Sequence, residues 1–122
     1  MSRAAAVAAL GTVLFLAGNG LLQAAPAPTR IQVAAREYSF VLSRLRVKAG
    51  PAIVELVDYG QDAHDLRLQR LGSRHIAGIG TVQPGGHADL SLKLLPGRYS
   101  LWCSLANHRA LGMSATLIVT RR

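Results

Sequence analysis

The sequence predicts an all-β fold, an antiparallel Greek-key β-sandwich of about seven to eight strands, and three observations carry that prediction. Apolar residues recur with period two, not 3.6, from Arg30 onward. Gly and Pro break the pattern at Ala49-Gly50-Pro51, Pro84-Gly85-Gly86 and Pro96-Gly97. No segment carries a convincing amphipathic-helix pattern, and there is no internal repeat.

In order along the chain, residues 1–24 stand apart from the domain. Arg3 precedes an apolar run from Ala4 to Ala17, and small residues Ala24 to Ala27 follow, which is the order of a secretory signal. Cleavage is expected between residues 24 and 27, leaving residues 25–122 as one domain in the periplasm or outside the cell. The alternative is an uncleaved membrane anchor, for which the run is short and interrupted by Gly11, Gly18 and Gly20.

The first strands are expected at Ile31 to Ala35, Tyr38 to Leu42 and Leu45 to Val47, each with one buried face. The stripe Arg44, Arg46, Lys48 reads as a solvated face that blunts an edge. Ala52 to Asp58 is richer in Val, Ile and Leu and predicts a central strand buried on both faces. Tyr59 to Asp62 is a loop, and a strand opens at His64 and runs to Gln69. Residues Gly72 to Gln83 are Gly-rich and read as an irregular connection. Leu90, Leu92 and Leu94 mark the next strand, and two last strands, ending at Cys103 and running from Ala115 to Thr120, flank an eleven-residue loop.

Charge narrows the function classes. Fourteen Lys plus Arg stand against six Asp plus Glu, a net charge of +8, which favours acidic partners. The cations are scattered rather than blocked, and the chain reads as exported, so nucleic acid is discounted. A monomer is expected.

Cys103 is the only cysteine. In an exported protein a lone cysteine implies intermolecular pairing, a reactive thiol or a metal ligand, and it excludes a disulfide scaffold. His108 and Met113 follow it in the same loop, each after four intervening residues. Alternation along Tyr99, Leu101 and Cys103 puts the sulfur on the core-facing side. A fourth donor is needed at the same end of the sandwich, and His64, between a loop and a strand, supplies it. Two imidazoles, a thiolate and a thioether suit copper; zinc seldom takes methionine. His75 and His87 lie in Gly-containing connections and read as surface histidines.

From about Ile31 to Thr120 the chain resembles the cupredoxins, the type 1 blue copper domains. The residues that carry the resemblance are Asp58 to Asp65 around His64, Leu95-Pro96-Gly97 to Cys103, His108, and Gly112-Met113. The size is similar to that of plastocyanin and amicyanin, and the ligand-loop spacing resembles rusticyanin. The resemblance implies His64, Cys103 and His108 as equatorial ligands and Met113 as the axial one. It implies one-electron transfer to a redox protein, such as a cytochrome or an oxidase, with no small-molecule substrate; Arg109 beside His108 favours an acidic docking face on that partner. His108 would be the electron exit, ringed by Leu105, Ala106, Ala110 and Leu111, and Trp102 would occupy the place of an outward aromatic that can offer a second route. Asp65 departs from the family's usual Asn after the first His. An extracytoplasmic copper carrier or buffer without electron transfer is the alternative function. An enzyme is not expected, because none of the four histidines forms the His-x-His pattern of a second copper centre.

Overall fold

Nine strands build two facing sheets in the computed structural model, which describes residues 1–22 and 24–122. They are β1 (Thr29–Arg36), β2 (Ser39–Leu42), β3 (Arg46–Lys48), β4 (Gly50–Asp58), β5 (His64–Arg70), β6 (Ile76–Val82), β7 (His87–Leu94), β8 (Gly97–Trp102) and β9 (Ser114–Thr120). One sheet has the order β2-β1-β4-β7 and the other β3-β9-β8-β5-β6. Between them lies a single core that includes Ile31, Val33, Val54, Leu56, Leu68, Leu101 and Leu117. Alternation makes this possible, because every second side chain on a strand points to the same face.

Three sequence expectations are corrected. The segment Gly72 to Gln83 contains a full strand, β6, paired antiparallel with β5. Its glycines hid it: a Cβ at Gly78 would lie 2.6 Å from the Leu66 carbonyl oxygen, so close backbone approach demands glycine there. The central strand β4 is buried on one face only, with Ile53, Glu55 and Val57 half-exposed. Two pairings, β1 with β4 and β3 with β9, are parallel. Period two reports which face is buried and carries no information on strand direction.

Residues 1–22 and 24–28 lie outside both sheets and are exposed. Gln23, inside the expected signal segment, falls outside the described residues. Among the described residues no helix is long and apolar enough to cross a membrane.

Two features of this framework position the site. A break in register between His64 and Leu66 at the start of β5 makes His64, Asp65 and Leu66 buried in succession. A bulge of this kind re-aims side chains that simple alternation would send to opposite faces. At the same end, Trp102 pairs with Ser114, so β8 and β9 deliver the two ends of the eleven-residue loop side by side.

Candidate metal centre

Cys103 leaves β8 on the core side, as the alternation of buried Tyr99 and Leu101 requires, and its sulfur has no solvent exposure. Burial pushes the thiol above its ordinary range, partly offset by hydrogen bonding from the backbone of Asp65 and Leu105. A metal ion that takes the thiolate must therefore displace a firmly held proton. The loop then turns back on itself. The His108 N–H donates to the Leu105 carbonyl at 3.0 Å, and the Met113 N–H to the His108 carbonyl at 3.1 Å. The Cys103 N–H donates to the Met113 carbonyl at 3.2 Å, which closes the loop and seats the fully buried Met113 beside Cys103. Gly112 makes the last corner at φ +120°, where its Cα faces the Tyr38 carbonyl oxygen and a Cβ would come within 3.0 Å of it.

The structure brings the third and fourth residues together as well. One donor atom each from His64, Cys103 and His108 lie within 4.8 Å of one another. His108 Nδ1 is 3.5 Å from Cys103 Sγ, and the two imidazole centroids are 5.1 Å apart. His64 is wholly buried, and its Nδ1 has no hydrogen-bond partner. An orphaned buried imidazole nitrogen is costly unless something takes its lone pair. His108 is half-buried, with one side against the Tyr38 ring at 5.0 Å.

Asp65 ties the segments that carry His64 and Cys103. Its Oδ1 accepts the Ser104 N–H at 2.6 Å and its Oδ2 accepts the Ser104 hydroxyl, so the residue after His64 is bonded to the residue after Cys103. A carboxylate can accept twice, and both bonds here use it as an acceptor. His75 and His87 are not part of the cluster; His87 Nδ1 faces Glu55 Oε2 at 3.7 Å on an exposed face. Trp102 lies on the opposite side of β8, half-buried, with the Arg109 guanidinium 4.5 Å from its ring centroid.

Sequence reasoning missed Glu37. It stands at the β1–β2 connection, and its Oε1 is 2.8 Å from His64 Nε2. The same carboxylate accepts the backbone N–H groups of Asp62 at 2.8 Å and Gln61 at 3.0 Å. Those two backbone bonds are the main reason its carboxyl is lowered to about 2. Asp58, fully buried, belongs to the same group, with donor atoms of Glu37, Asp58 and His64 within 4.8 Å of one another. Nothing local marks Glu37, which is 27 residues from His64. The only trace in the sequence is that acids are few, and four of the six, Glu37, Asp58, Asp62 and Asp65, meet around this end.

No protein-family model matches the sequence, and no curated protein matches it in sequence either. Its likeness to known proteins is one of structure. It is similar to a dithionite-reduced auracyanin of Roseiflexus castenholzii, with TM-score 0.65 and 17% identity over 78% of this chain and 99% of that one. It is also similar to auracyanin A of Chloroflexus aurantiacus, a "blue" copper protein, with TM-score 0.66 and 15% identity over 77% of this chain and all of that one (100%). A copper-containing nitrite reductase of Thermus scotoductus matches with TM-score 0.59 and 20% identity over 79% of this chain, but over only 28% of its own length. Two sheets in this order, with the long loop between the last two strands, give this chain the cupredoxin fold.

Proposed function

We propose that the protein is an exported, mononuclear type 1 copper protein that carries one electron at a time between redox partners. The observation that carries this reading is the buried cluster at the loop end: Cys103 Sγ, His108 Nδ1 and His64, whose Nδ1 is otherwise orphaned. The donor chemistry fits copper, since a thiolate, two imidazoles and a thioether are the His2Cys set with a weak fourth methionine. His64, Cys103 and His108 would hold the ion, and Met113 would complete the set. Bound there, copper would supply the Cu(I)/Cu(II) couple.

The chain's own residues do the rest. Full burial of His64, Cys103 and Met113 keeps water from the donors. The Asp65 to Ser104 tie and the Cys103 to Met113 backbone bond hold the donors in place, so little nuclear rearrangement would oppose a change of charge. His108 is the donor nearest solvent, and exposed Leu111 with Ala106 and Ala110 forms an apolar rim beside it. A small apolar contact of this kind suits brief redox encounters. Arg109 at the rim and a net charge of +8 favour an acidic partner surface and a rate that falls with salt. Export rests on the order of residues in segment 1–24.

The test is electron exchange between the copper-loaded domain and a redox protein, such as a cytochrome, from the same source. Fast exchange that slows with ionic strength supports the carrier reading. Transfer of the copper itself to a metal-free acceptor, with no redox change, would instead mark a copper carrier or buffer.

A further inference from the structure

We infer that Glu37 is the positioning residue of this centre, holding His64 in the tautomer and orientation that leave the buried Nδ1 with a free lone pair in the cluster it forms with Cys103 and His108. The inference rests on the copper reading for its purpose, but its geometry stands without any metal. A neutral imidazole has one N–H and one lone pair, and a carboxylate can only accept. With Oε1 at 2.8 Å from His64 Nε2, the proton belongs on Nε2 and Nδ1 is left free. That is the nitrogen the structure leaves buried and unpartnered. Histidines that bind metals commonly give their second N–H to such an acceptor, which fixes the ring and raises its basicity.

What makes Glu37 more than a chance neighbour is how firmly its own position is set. Its carboxylate accepts from the N–H groups of Gln61 and Asp62, in the loop that leads into His64. Gly60 leaves the space it occupies, since a Cβ there would collide with the carboxylate. The β1–β2 connection belongs to one sheet and His64 opens a strand of the other, so this contact spans the sandwich at its open end. The adjacent residue, Tyr38, lies against His108. One connection thus touches both imidazoles, and through Glu37 it sets the donor atom of the buried one.

The test begins with metal-free protein, by nitrogen-15 correlation spectra of the histidine side chains. Wild type is expected to show His64 as the Nε2–H tautomer with a slowly exchanging ring proton. Finding the proton on Nδ1 would overturn the inference. Glu37→Ala is expected to give mixed tautomers, loss of the protected ring proton, and copper(II) binding weakened about 10–100-fold. A Glu37→Ala protein with an unchanged tautomer and affinity would also overturn it. Glu37→Gln keeps an acceptor oxygen and removes the charge, so it is expected to keep the tautomer and raise the reduction potential. A merely structural role would move the amide signals of Gln61 and Asp62 and leave the tautomer alone. If wild type binds no copper, the proposed function fails, while the tautomer result still decides the role of Glu37.

Discussion

The centre is assembled from two regions made in different ways. The loop from Cys103 to Met113 carries three donors within eleven residues, closed by its own backbone bonds. The arm around His64 carries one donor, and it is assembled from three segments: Glu37 from the β1–β2 connection, Asp58 from the end of β4, and the bulge that opens β5. The loop's imidazole is partly exposed and the arm's is sealed. On the proposed function the two regions would have separate tasks, the loop supplying most of the ligands and the way out, and the arm supplying a fixed, buried donor whose surroundings are acidic.

The contrast can be broken most severely at the arm itself. His64→Ala removes its only donor, so copper(II) affinity measured by competition with a chelator is expected to fall by more than the roughly 10–100-fold typical of a lost outer partner. An affinity within a few-fold of wild type would mean that the loop suffices alone. Next in size is the tie between the two regions. Asp65→Ala leaves the Ser104 N–H and hydroxyl without their acceptor and should cost about 1–3 kcal/mol in denaturant unfolding of the metal-free protein. In the same position Asp65→Asn should raise the reduction potential, because it removes a negative charge beside the site that favours Cu(II); a lowered potential would contradict this.

Two further substitutions, the first of comparable size, sharpen the loop. Gly112→Ala places a Cβ at φ +120° and against the Tyr38 carbonyl, at an expected cost on the order of 1–3 kcal/mol in thermal or denaturant unfolding. The smallest change is expected from Arg109→Ala, which removes the guanidinium from the face of Trp102, worth about 0.5–1 kcal/mol. Trp102 is the only tryptophan, so its fluorescence reports that loss directly.

The same contrast explains what could be read from the sequence. The loop was legible because its chemistry is contiguous: two equal gaps, one thiol, one imidazole and one thioether, on a strand whose alternation fixed the direction of Cys103. The sandwich was legible where side chains alternate, as in Ile31, Val33 and Ala35, and not where glycines replace them, as at Gly78 and Gly80 in β6. His64 could be nominated from its place between a loop and a strand, but the bulge that buries both it and Asp65 depends on pairing with β6, a strand the pattern concealed. Glu37 was invisible because its role exists only through tertiary contact, and a carboxylate beside a turn looks like any solvated charge.

The most direct measurement is Cu(II) titration of residues 25–122, followed by visible absorption and electron paramagnetic resonance, with Cys103→Ser as the control. One equivalent of copper is expected to turn the wild-type protein intensely blue through its thiolate and to leave the serine variant without that band. A colourless wild type, or a variant that stays blue, would contradict the assignment of Cys103, His64, His108 and Met113 to one copper site.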